Sequence, residues 1–258
     1  MESVIRGGRA GVKGITFYSD SFKSRATRKK TGEIATTIKR IEHSKLQKIS
    51  LVANKIPLVR GLWLFVDILV QAWKIYLALL SLNLFFWVFF TSNRTETTIF
   101  ETYINEFFYD VKVHFGVILC FLLLYGIFIK VSPLGKYHAA EHMVDNAFEK
   151  TGDCELHNVT QASRIHESCG TNFVVFLLIF YFIFFLIVDH YYLVVVLSVM
   201  FGYEVYKIDS KWLLPLLKPF YWIGALFQYV LFTSVPKREH IEVAVASYKL
   251  LLESEGKH

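Results

Sequence analysis

The run NFVVFLLIFYFIFFLIV, residues 172–188, holds seventeen positions without one charged side chain. A bilayer core about 30 Å thick is crossed by roughly 17–25 apolar residues in a helix, so this run is read as a membrane span. VHFGVILCFLLLYGIFIKV at 113–131 and IYLALLSLNLFFWVFFT at 75–91 are read in the same way. Asp189 and His190 form a short turn into a further apolar run at 191–206. Residues 213–235 are also apolar, but Pro215, Lys218 and Pro219 break them, which suits an interfacial or re-entrant segment. Residues 56–74 mix Arg60, Asp67 and Lys74 with aliphatics and tryptophans, as an amphipathic helix at the interface does. The expected fold class is mainly α: a polytopic helical membrane protein with about four transmembrane helices, or five if 213–235 crosses.

Charge gives the orientation. The chain has 28 Lys+Arg against 22 Asp+Glu, a formal net charge of +6, and 54% of its residues are hydrophobic. Fourteen of the basic residues lie between Arg6 and Arg60, ahead of the first expected span. The loop at 92–112 instead carries Glu96, Glu101, Glu106 and Asp110 against Arg94 and Lys112. Basic flanks stay in the cytoplasm, so both termini are expected there in a multi-pass protein of the plasma membrane. Anionic lipid accounts for the basic surplus, and no specific nucleic acid is expected as a partner.

Five segments follow from this reading. Residues 1–55 form a basic cytoplasmic segment in which GEIATTIKRIE alternates with the period of a strand, and a β-hairpin or three-stranded cap is expected there. Residues 56–131 hold the interfacial helix and two spans, residues 132–171 a cytoplasmic polar segment, and residues 172–206 two further spans. Residues 207–258 end in an amphipathic helix with Ile241, Ala244, Val245, Tyr248, Leu251 and Leu252 on one face.

The chemistry concentrates in 132–171. Over 137–149 the period is helical, with Ala140, Val144, Ala147 and Phe148 on one side. His138, Glu141, His142, Asp145 and Glu149 share the other. His138 and His142 stand at i and i+4, so both imidazoles can reach one ion, and Glu141 lies beside them. This is an H-x-x-E-H spacing, in which two histidines bind zinc and the glutamate acts on zinc-bound water. A solvated polar face would produce the same spacing without a metal. His166 and Cys169 in HESCGT, and Glu204 at the end of the fourth span, compete for the remaining ligand positions. Four protein ligands would make a structural clamp, whereas three leave a place for water.

YHAAEHMVDNAFE followed by HESCGTNF resembles the core signature of the YqhQ-like bacterial membrane proteins. That signature runs Tyr-His-Gly-Ala-Glu-His, then a helix, then His-Pro-x-Cys-Gly-Thr-x-Phe. The similarity extends to IPLVRGLW and to IEVAVASYKLLL, and more faintly to IRGGRAGVKG. The family is largely uncharacterised and described as predicted metal-dependent enzymes. The resemblance implies His138, Glu141, His142, His166, Cys169 and Glu204 as the functional set. Ala139 replaces the family's glycine and Glu167 its proline. Arg9 and Lys13 stand where it tends to have Gln and Glu, so any role of those two family residues does not carry over.

Two functions are thus expected to compete. One is a zinc-dependent hydrolase at the membrane interface, cutting a peptide or lipid, with Glu141 catalytic. The other is a non-enzymatic scaffold or biogenesis factor whose basic face docks a protein partner such as the translocon or ribosome. There the His/Cys cluster only holds the fold. Membrane lipid is a partner in both, and homo-oligomerisation is left open.

Overall fold

A computed structural model of the chain describes residues 5–42, 49–50, 52–71, 73–74, 77–78, 81, 111–208 and 210–256. The protein is mostly helical, with one small antiparallel sheet near the amino terminus. The chain divides into two compact units. One comprises 1–45, 123–175 and 211–258, and the other 46–122 and 176–210.

The first unit opens with a four-stranded meander: β1 (Gly7–Gly11), β2 (Gly14–Tyr18), β3 (Phe22–Arg28) and β4 (Ile34–Arg40), in the order β1-β2-β3-β4. The expected cap had at most three strands. In β1 the sequence GGRAG offers no apolar alternation, and the strand is held by pairing to β2. Alternation is clear in β2 and β3, where Ile15, Phe17, Ser24 and Ala26 are buried and Lys23 and Arg25 are exposed. Against this inner face packs helix α8 (Arg238–Ser254). Its Tyr248 meets Phe17 edge-on at 5.0 Å, and Ser247 pairs with Ser24 at 3.0 Å.

The helix carrying the polar motif, α3 (Pro133–Thr151), lies between α8 and β1. It starts with Pro133 at its first position, where a missing N–H costs nothing. It ends at Gly152, whose φ of 77° suits glycine and whose N–H closes on the Phe148 carbonyl. Ala140, Met143, Val144 and Ala147 join Ile15, Phe17, Ile241, Ala244, Tyr248 and Leu251 in one core. The short helix α4 (Leu156–Gln161) completes this layer through Val159. Helix α7 (Leu214–Phe227) runs into a π-helical turn, Gln228–Phe232, that buries Gln228 completely.

In the second unit, α1 (Val59–Gln71) packs on α6 (Tyr191–Tyr206). The backbone of Gly61 approaches that of Met200 so closely that a Cβ would lie 2.7 Å from the Met200 Cα. Two further helices, α2 (Val111–Val131) and α5 (Gly170–Ile187), cross the boundary between the units.

Among the described residues, α5 alone is a single helix long and apolar enough to cross a membrane, and α6 is apolar but shorter. The end of α2 passes the same test only together with α3, to which it is bent by 81°. One or two helices therefore suit a membrane by length and composition. Large apolar side chains on α2 stay uncovered, Phe121 at 69% and Leu124 at 60% exposure, as lipid-facing residues would. The span expected at 75–91 lies outside the described residues.

Candidate metal centre

Helix α3 brings His138, Glu141, His142, Asp145 and Glu149 onto one stripe, as their spacing requires. The stripe is solvated only at its far end: His142 is 5% exposed, whereas the Glu149 side chain is 56% exposed. It lines a cavity of about 490 Å³ together with His166 and Cys169 from the segment leading into α5, and with β1.

Two donor groups sit on this stripe, His138–His142–Cys169 and Asp145–Glu149–His166, each with its donor atoms within 4.8 Å of one another. In the first group, His138 Nδ1 lies 2.9 Å from the Phe232 carbonyl and His142 Nδ1 lies 2.8 Å from the Arg164 carbonyl. A carbonyl oxygen only accepts, so each ring carries its proton on Nδ1 and donates it there. In the neutral form of each ring, Nε2 is then a bare lone pair. The His138 Nε2 is 3.6 Å from Cys169 Sγ, and His142 also bonds that sulfur. A single S–H proton cannot satisfy two lone pairs. A cation between the three atoms would.

Protonation tendencies agree with that geometry. Burial pushes His142 below the ordinary histidine value, which keeps the ring neutral as a ligand must be. For Cys169 burial is the largest influence and pushes the thiol up; a protonated His142 and the Thr171 contacts act the other way and together hold it below its ordinary value. Thr171 N–H donates to Sγ at 3.5 Å from the first turn of α5, where a helix favours negative charge.

Glu141 lies under β1. A Cβ on Gly8 would sit 2.7 Å from the Glu141 Cδ, so a side chain there would have to displace the carboxylate. Burial pushes the Glu141 carboxyl up to about 7. His138 draws it down, Cys169 and Asp145 add to the rise, and the Ala10 N–H opposes it.

The second group differs. Ser168 N–H donates to His166 Nδ1 at 3.2 Å, so the ring proton of neutral His166 sits on Nε2. That atom faces Asp145 at 3.5 Å and Glu149 at 3.7 Å. Tyr248 O–H donates to the other oxygen of Asp145 at 3.0 Å. Glu204 is elsewhere, in α6 of the second unit. There the Arg60 Nε–H donates to it at 2.8 Å and the Leu58 N–H at 2.7 Å, with Leu58 itself left-handed at φ 64°. Two charges set among apolar residues, Arg60 and Glu204, were the available signal for this pair.

Sequence reasoning missed Gln228. Its amide accepts the His166 N–H at 2.9 Å and donates to the His166 carbonyl at 3.1 Å, clamping the segment that carries Cys169. A lone glutamine in an apolar run, GALFQYVLF, was the only cue.

Known proteins give this geometry its setting. A family model described as "Protein of unknown function (DUF1385)" matches residues 34–254, which include every candidate ligand. The chain is 31% identical over 152 residues to "Uncharacterized protein YqhQ" of Bacillus subtilis (strain 168). That match covers 54% of this chain and 48% of the relative, so the chain spans about half the length of the curated protein it matches. No solved structure matches it. The resemblance carried by YHAAEHMVDNAFE and HESCGTNF is thereby borne out, and the chain belongs to the YqhQ-like DUF1385 family.

Proposed function

We propose that this protein is a multi-pass membrane hydrolase with a zinc-type site on its cytoplasmic face. The observation that carries the reading is the pair of His138 and His142 Nε2 lone pairs converging on Cys169 Sγ, with both Nδ1 protons spent on backbone carbonyls. Two nitrogens and a thiolate suit zinc, and three protein ligands leave a fourth position for water. Zinc bound there would lower the pKa of that water to about 7. His138 and His142 would hold the ion through Nε2, and the carbonyls of Phe232 and Arg164 fix both rings. Glu141, titrating at about 7, accepts a proton from the attacking water near neutral pH and returns it to the leaving group. His166 does not complete the ligand set in this reading, since its Nε2 holds a proton toward Asp145 and Glu149. Glu204 is committed to Arg60.

Four spans, with 75–91, 113–131, 172–188 and 191–206 crossing, and a basic cytoplasmic amino terminus remain our proposed topology. Elemental analysis of the purified protein tests the site: about one equivalent of zinc is expected in wild type and none in His142→Ala. A stable, metal-free wild type would overturn the reading. Zinc retained in a Glu141→Gln variant that still complements a deletion strain would favour a structural clamp, and with it the scaffold that docks the translocon or ribosome.

A further inference from the structure

We infer that the substrate of this site is an extended polypeptide, bound as an added strand on the free edge of β1. The inference rests on the hydrolase reading and goes further by naming what is cut. In the sheet order β1-β2-β3-β4, one edge of β1 pairs with β2 and, among the described residues, no strand pairs with its other edge. That strand is also a wall of the metal cavity, where residues Gly7, Gly8 and Ala10 face the same space as His138, Glu141 and Cys169.

The register tells which backbone groups point there. Gly11 pairs with Gly14 across the two-residue turn at Val12 and Lys13, so this is the closing hydrogen-bonded pair of the hairpin. Antiparallel strands alternate bonded and non-bonded pairs, so Ala10 and Gly8 turn their N–H and C=O groups to the free edge. The Ala10 N–H is directed at Glu141, as this alternation demands. Gly8, one step along, is exposed and carries no side chain. An incoming backbone can therefore pair with Gly8 about 4.8 Å away, the ordinary spacing between strands. Pairing there sets a scissile amide beside the group that moves the proton.

A peptide meets such an edge with alternating donors and acceptors, whereas an acyl chain has none to offer. In the reaction, water gives its hydroxyl to the amide carbon as the C–N bond breaks. Glu141 carries the remaining proton to the departing nitrogen, and no other reactant is needed.

The test uses zinc-loaded full-length protein in detergent and three probes: acetohydroxamate, octanohydroxamate, and a hydroxamate joined to a Val-Thr-Val-Thr segment. The peptide hydroxamate is expected to bind at least about 30-fold more tightly than acetohydroxamate, and N-methylation of alternate amides should each cost about tenfold, while the intervening amides tolerate it. An equal gain from octanohydroxamate would point to a lipid acyl chain and overturn the inference. So would N-methylation that is harmless at every amide. Acetohydroxamate failing to bind zinc-loaded protein would strike the metal site itself, and the strand inference would fall with it.

Discussion

The two donor groups beside α3 have only histidine in common, and their histidines carry the ring proton on opposite nitrogens. In one, backbone carbonyls claim the Nδ1 protons of His138 and His142 and leave two lone pairs facing a sulfur. In the other, a backbone N–H claims the Nδ1 lone pair of His166 and leaves a proton facing two carboxylates. The chemistry of a histidine is thus set by what its far nitrogen touches. One group is built to receive a cation, and the other turns an N–H toward its two carboxylates.

The largest effect is expected where this contrast would break outright. His142→Ala removes one of the two lone pairs, and zinc affinity measured by chelator competition should fall at least about a thousandfold. Next comes Glu141→Gln. It leaves both donor groups intact, so zinc should stay bound while turnover of a cleaved peptide drops by about 10²–10⁴. Survival of turnover would move the base to another residue.

Gln228→Ala attacks the clamp joining the two groups. The His166 N–H loses its partner in a buried place while its carbonyl keeps only the Cys169 N–H, and unfolding should become easier by about 2–4 kcal/mol in denaturant titration. A smaller effect concerns pH in metal-free protein. The folded Glu141 titrates near 7 against an ordinary 4.5, so the folded state keeps a proton that the unfolded state has lost. Stability should therefore fall as pH rises from about 4.5 to 7 and level off above, and Glu141→Gln should be more stable than wild type by about 2 kcal/mol at alkaline pH with no gain in acid.

The smallest expected change is the sharpest for the comparison. His166→Gln should leave zinc affinity within about threefold, because this ring does not offer a lone pair to the ion. A loss as large as that of His142→Ala would mean that the two groups bind as one.

What could be read in advance follows the range of the forces involved. The helical stripe of α3 and the amphipathic face of α8 are local patterns, and Ala140 and Tyr248 fell where period and polarity put them. His138, His142 and Cys169 were legible as ligand types. Their tautomers were not, because the carbonyls of Phe232 and Arg164 belong to positions whose side chains have no bearing on that bond. For the same reason β1 carries no local signal, since GGRAG becomes a strand only through its neighbour. Glu204 stood among the candidate ligands because its partner Arg60, 144 positions away in the chain, could not be read from local pattern.

The π-helical turn at 228–232 gives the segment one residue more than a regular helix would need there. Deleting a residue within it would restore regular winding and rotate everything beyond by about 100°. The Phe232 carbonyl would then swing off His138, and that ring could carry its proton on either nitrogen. Segment length here acts as a phase setting. An alanine scan across the turn would overlook this dependence, and a one-residue deletion would expose it.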